Sequence, residues 1–175
     1  MTLLPAPFNT PRTEALAAFI LALAAILGAW GSQLFGGLIP CELCLLQRQP
    51  YYIGLPLLAL VLLVWPRLSP ALRSLGLGLV ALVFVWGTGL GVYHSGVEWG
   101  FWPGPTACTG LGGDLNFADL NNVNATRVVP CDKVQFRFLG LSLAGYNALV
   151  ALAVVILTGR AALAARTQGS SSLSQ

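Results

Sequence analysis

Long runs without a single charged side chain dominate this sequence, and four of them reach the length of a membrane span. A helix crossing the hydrocarbon core needs about 20 mostly apolar residues, because no water is present there to satisfy backbone N–H and C=O groups. The first run extends from about Ala15 to Phe35, after Arg12 and Glu14. The second lies between Arg48 and Arg67, is the shortest, and carries Tyr51 and Tyr52 at one end and Trp65 at the other. The third lies between Arg73 and Glu98, and the fourth between Arg137 and Arg160. Aromatic residues near the ends of such runs fit an interfacial belt.

Composition agrees with this reading. Charged residues make up 9% and the mean hydropathy is +0.76, whereas a soluble domain carries roughly 25% charged residues. The fold class expected is therefore all-α: a polytopic membrane four-helix bundle with spans at about 15–35, 49–66, 75–94 and 138–159. Residues 1–14 and 161–175 are expected on the cytoplasmic side, the latter as a Ser-rich tail without fixed structure. A cleavable signal peptide is disfavoured, since the first apolar run exceeds the 7 to 15 or so residues of such a segment. The basic residues are scattered singly, so nothing points to nucleic acid.

Four cysteines lie outside the spans: the tight pair Cys41-Glu42-Leu43-Cys44 and the wide pair Cys108 and Cys131. The segments that carry the two pairs are separated by two spans, so both emerge on the same membrane face whichever way the protein is inserted. Counts of basic residues on the two sides barely differ, but paired cysteines suit an oxidising compartment, which places these segments outside the cytoplasm.

A Cys-x-x-Cys spacing suits a redox disulfide, half of a zinc site or a structural staple. A staple across two residues constrains few unfolded conformations. A four-cysteine zinc site would need Cys108 and Cys131, which are far apart in a Gly- and Asn-rich loop and lack the second short ligand hairpin. Redox activity is thus favoured for the tight pair, and no metal is expected. The wide pair could serve as both staple and relay.

Cys44 stands near the start of the second span, where a helix N-terminus lowers a thiol pKa. Arg48, four residues on, shares its face if the helix has already begun, although Pro50 is expected to disrupt that early helix. Arg48 alone could be an interfacial residue snorkelling to the headgroups, and His94, the single histidine, an ordinary interfacial one. Together beside a thiolate, the two could hold the carbonyl oxygens of a quinone.

Pro40-Cys41-Glu42-Leu43-Cys44 with Gln47-Arg48, Tyr93-His94 closing the third span, Cys108, and Cys131 shortly before Phe138-Leu139-Gly140-Leu141 resemble the disulfide-bond formation protein B (DsbB) family, over residues 15 to 160 or so. That resemblance implies a bundle in the bacterial inner membrane, its cysteine loops facing the periplasm. It would reoxidise a periplasmic DsbA-like thioredoxin-fold dithiol and pass the electrons to ubiquinone or menaquinone. By the family pattern, Cys41 and Cys44 are the pair oxidised by quinone, Cys44 meeting it as a thiolate. Cys108 accepts attack from the partner's cysteine, and Cys131 is released to attack Cys41. Arg48 would bind the quinone with His94 near it, and the Gly-rich run Thr109-Gly110-Leu111-Gly112-Gly113 would give the loop mobility.

This sequence departs from the pattern at Glu42, where an apolar residue is expected between the tight cysteines. Leu115, Phe117 and Leu120 offer little for a membrane-skimming helix, and Asn124-Ala125-Thr126 reads as a chance glycosylation triplet. Two other readings are a quinone or epoxide reductase of the vitamin K epoxide reductase type and a non-enzymatic membrane protein with structural disulfides. The early position of the tight pair disfavours the reductase.

Overall fold

The computed structural model describes residues 10–105 and 130–171, the last three by their backbone alone. Cys108, the Gly-rich run after it, the Leu115, Phe117 and Leu120 set and the Asn124 triplet lie outside the described residues.

Helix α1 spans Pro11–Leu34. Its start is locally encoded: Thr10 caps the backbone N–H of Thr13, the Thr13 hydroxyl accepts from the Thr10 N–H in return, and Pro11 presets φ in the first turn. Ala15, Ala18, Ala22 and Ile26 recur every three or four residues and form its buried stripe.

The next apolar run is divided in two. A short helix, α2 (Glu42–Leu46), is capped by Cys41, and a second, α3, covers Gln49–Leu63 before a 3-10 turn at Trp65–Arg67. Pro50 does not break a helix already under way. It occupies the first turn of α3, where the missing N–H costs nothing. At 15 residues, α3 is about 22 Å long, shorter than a full crossing.

Ser69 caps α4 (Pro70–Glu98) by accepting from the Leu72 N–H. A two-stranded hairpin follows the undescribed segment, β1 (Arg137–Phe138) pairing antiparallel with β2 (Leu141–Ser142). Its turn residues Leu139 and Gly140 both have positive φ, 48° and 83°, as a two-residue hairpin turn with the right twist requires. The strand leads directly into α5 (Leu143–Ser171). The helix continues through residues 161–171, part of the tail expected to lack fixed structure, because the Ala-, Leu- and Arg-rich stretch 160–166 consists of strong helix formers.

Among the described residues, α1, α4 and α5 are the helices long and apolar enough to cross a membrane. The main helix packing is α4 on α5, with α1 against α5 and α3 against α4. Gly87 and Gly91, one turn apart on α4, make this approach possible. A Cβ at Gly91 would come within 2.9 Å of the Ala148 backbone, and one at Gly87 within 3.1 Å of Pro50. Small residues at such crossings are how helices associate without a water-driven hydrophobic force. Phe84, Leu58, Leu77, Val80 and Val154 fill the centre, and Tyr51 meets Phe84 edge-on at 5.2 Å. The outward faces stay apolar, with Ile20, Leu27, Leu63, Leu82 and Leu163 all more than half exposed, as expected for a protein solvated by lipid. At one end, Arg160 of α5 pairs with Glu14 of α1 at 2.9 Å.

Candidate active site

Cys41 stands at the N-cap of α2, so its sulfur accepts the backbone N–H of Cys44 at 3.2 Å. The three-residue step from cap to first turn is what a Cys-x-x-Cys spacing produces at a helix start, and it turns both sulfurs to one side. Both are free thiols, Cys41 buried and Cys44 partly so. Glu42 is exposed in the first turn of α2.

The two thiols are unequal. The hydrogen bond offered by Cys41 is the main influence holding the Cys44 thiol below the ordinary cysteine value. It prevails over burial, with Arg48 assisting and Glu98 opposing. The same hydrogen bond, followed by burial and the charge on Cys44, pushes Cys41 well above that value. Cys44 is therefore the more acidic thiol of the pair, and Cys41 is the thiol whose hydrogen bond favours its charged form.

Arg48 follows α2 as the cap residue of α3 and is buried. Its guanidinium donates to the Gln33 side chain at 2.8 Å and to the Ala29 carbonyl at 3.3 Å, both on α1, and lies over the Trp30 ring at 5.9 Å. Two of its five N–H donors are thereby committed, which fixes the plane of the group and leaves donors to spare.

His94, one turn before the end of α4, is buried against the tight pair. Its Nε2 lies 3.7 Å from Cys41 Sγ and 3.9 Å from a Glu98 carboxylate oxygen, while Nδ1 is met by the Gln47 side-chain amide. The chain of contacts continues: Asn147 on α5 donates to Gln47 Oε1 at 2.6 Å, and the Tyr51 hydroxyl donates to Asn147 Oδ1 at 2.7 Å. Since Tyr51 presents its O–H, Asn147 must present its NH₂ to Gln47, and Gln47 its NH₂ to His94. This sets Nδ1 as acceptor and puts the imidazole N–H on Nε2, facing the sulfur.

Sequence reasoning placed Arg48 and His94 at this depth but took Tyr51 for an interfacial aromatic, and it singled out neither Asn147 nor Glu98. Asn147 was detectable in principle, because a lone amide inside an apolar span is expensive unless it has work to do.

Cys131 is disulfide-bonded and lies in one buried cluster with Cys41, Leu43 and Val97, against which Cys44 packs. The segment after Cys131 is held by a bidentate contact: the Gln135 side chain donates to the Ile39 carbonyl at 2.6 Å and accepts the Ile39 N–H at 3.2 Å.

These groups surround one cavity of about 360 Å³. Its apolar walls include Ala25, Ile26, Ala29, Leu143 and Val150, and into it face Cys41, Cys44, Gln47, Arg48, Tyr51, His94, Glu98 and Asn147. Lys133 to Phe136 form a further side. The arrangement joins an acidified thiol, a cation with spare donors and a mainly apolar chamber of the size that small organic ligands use.

Residues 11–161 match the family described as Disulfide bond formation protein DsbB. No curated protein and no solved structure matches the chain.

Proposed function

The chain belongs to the disulfide bond formation protein DsbB family, a membrane oxidoreductase of disulfide-bond formation, and from that premise we propose that it is a quinone-dependent thiol oxidase. Its electron donor is a DsbA-like thioredoxin-fold dithiol, and its acceptor is a membrane quinone, ubiquinone or menaquinone. The observation that carries this reading is the single cavity shared by Cys44, Arg48 and His94.

In this reading α3 and the following 3-10 turn complete a fourth crossing, so that both cysteine-bearing segments face the periplasm from a bacterial inner membrane. The partner's thiolate attacks Cys108 of the wide-pair disulfide, forming a mixed disulfide and releasing Cys131. The Cys131 thiolate then attacks Cys41 of the oxidised tight pair and releases the Cys44 thiolate. Burial of Cys131 in one cluster with Cys41 supports that direction of exchange. The partner's second cysteine resolves its own mixed disulfide and leaves with a new disulfide. Cys108 then attacks Cys131 in the bond to Cys41, restoring the wide pair and leaving the tight pair as a dithiol. Every exchange conserves the number of disulfides, and the four together pass one electron pair inward.

A bound quinone supplies a sink for two electrons and two protons. The residues present fit such a group: the chamber is apolar, Arg48 keeps unused N–H donors for a carbonyl oxygen, and Cys44 is the more acidic thiol. Arg48 orients the ring, and its charge favours the Cys44 thiolate. His94, with its N–H toward Cys41, holds that sulfur in place while the Cys41–Cys44 disulfide re-forms.

The test mixes purified protein with a reduced thioredoxin-fold dithiol and a soluble quinone and follows quinone absorbance. Loss of quinone should require all four cysteines. Should Cys41→Ser and Cys44→Ser proteins consume quinone as fast as the parent, the assignment fails.

A further inference from the structure

The tight pair does not stand alone among potential ligands. The Cys41 and Cys44 sulfurs and a ring nitrogen of His94 all lie within 4.8 Å of one another, and a Glu98 oxygen lies 3.9 Å from His94 Nε2. We infer that, whenever the tight pair is reduced, Cys41, Cys44, His94 and Glu98 form a tetrahedral site for a thiophilic divalent cation of the zinc class. This goes beyond the oxidase reading and does not depend on it.

Two observations converge on the site. The first is spacing. An ion with bonds of about 2.3 Å to sulfur and about 2.0 Å to nitrogen in tetrahedral geometry separates those two ligands by about 3.5 Å. The Cys41 Sγ to His94 Nε2 distance is 3.7 Å. The second is Glu98 itself: its side chain is 7% exposed, and its second oxygen is buried without a hydrogen-bond partner among the described residues. A carboxylate oxygen in that condition requires an explanation, and a cation provides one. The outer shell must rearrange to match, because the polar chain described above leaves Nδ1 as acceptor and puts the N–H on Nε2. A metal-bound histidine donates its other ring N–H to an acceptor. Turning over the Gln47 amide presents its Oε1 to His94 Nδ1–H, and the hydrogen bonds of Asn147 and Tyr51 reverse with it.

Charge favours binding as well. Two thiolates and one carboxylate outweigh a dication by one negative charge, and Arg48 and Arg137 lie close enough to act on Cys44 and Glu98 respectively. Binding displaces whatever protons the two thiols still hold and leaves both sulfurs bound to the ion. Oxidation of the pair removes two of the four ligands at once, so the site exists only in the reduced state.

The test uses full-length protein in detergent, reduced with a phosphine under nitrogen and titrated with Co²⁺, whose thiolate charge-transfer absorption reports sulfur ligation. Competition with Zn²⁺ then gives stoichiometry and affinity. One ion per chain is expected. None should bind after diamide converts the dithiol to its disulfide, the diazene being reduced to the hydrazine. Glu98→Gln and His94→Ala should each weaken Zn²⁺ binding more than about tenfold, the lower end of what even an outer-shell partner contributes.

X-ray absorption at the zinc edge of the parent protein provides a reading that needs no variant to fold. Two sulfur and two nitrogen or oxygen neighbours are expected. Absence of stoichiometric binding overturns the inference. So do variants that bind as tightly as the parent, which would leave a bare two-cysteine chelate. A shell of four sulfurs would also overturn it, by transferring the site to the wide pair.

Discussion

Asn147→Leu keeps the shape of the side chain and removes its hydrogen bonding, which isolates the function of the polar chain from Tyr51 to His94. Two contacts vanish: the 2.6 Å bond to Gln47 Oε1 and the 2.7 Å bond from the Tyr51 hydroxyl. In a dry interior, each orphaned group would cost about 1–3 kcal/mol. Hydrogen bonds between membrane helices average only about 0.6 kcal/mol by double-mutant cycles, and here the cavity beside them can admit water. The expected loss is therefore about 1–2 kcal/mol, measured by reversible unfolding in detergent. Tyr51→Phe alone should cost about half as much, because it orphans only Asn147 Oδ1. With Leu already at 147, Tyr51→Phe should cost almost nothing, since it removes a hydroxyl that has lost its partner. A coupling above about 0.5 kcal/mol is the signature of a real bond. Functionally, the Gln47 amide becomes free to turn over, so His94 loses its fixed tautomer. Turnover should fall more than quinone affinity does. Strict additivity of the two substitutions, together with unchanged turnover, would refute the argument that this chain sets the histidine.

Arg48→Ala should raise the Michaelis constant for quinone well beyond that for the protein donor, and Arg48→Lys should recover only part of the loss, because an ammonium cannot hold the Gln33 and Ala29 contacts in one plane. An unchanged quinone dependence would return Arg48 to a headgroup role. A lowered thiol pKa means that the charged form persists as pH falls below the usual cysteine range, while a raised one keeps Cys41 protonated as pH rises through it. Alkylation of the reduced protein, followed by mass spectrometry across pH, should thus label Cys44 before Cys41 at every pH, most selectively on the acid side. Gly91→Val places a Cβ within 2.9 Å of the Ala148 backbone, and such overpacking should destabilise by about 1–3 kcal/mol. Gly89→Ala, with nothing within 4 Å among the described residues, should be neutral or slightly stabilising, since a helix interior prefers alanine. Equal unfolding midpoints for the two variants would contradict the packing described.

The apolar runs around Ala22, Val80 and Val154 announce α1, α4 and α5 because a membrane leaves a chain almost no alternative to helix. The second run was harder to interpret. Pro50 carries two opposite meanings, helix breaker or helix starter, and only the end of α2 at Leu46 selects the second. Cys41, Cys44 and Arg48 could be found from spacing because they are close in sequence. Asn147 and Gln47 are 100 positions apart, and no local pattern encodes a bond that exists only after α3 and α5 have packed. Glu98 is concealed for a related reason: at the end of a span, an acidic residue looks like the boundary itself, and only folding brings it to His94.

The two hydrogen bonds between Gln135 and Ile39 have a mechanical implication. A side-chain amide there performs what a neighbouring strand would do, fastening the polypeptide four residues after Cys131 to the residue two before Cys41. Tension applied by a docked protein to the outer segment thus arrives at the base of the inner dithiol through a single residue, without requiring any helix to tilt.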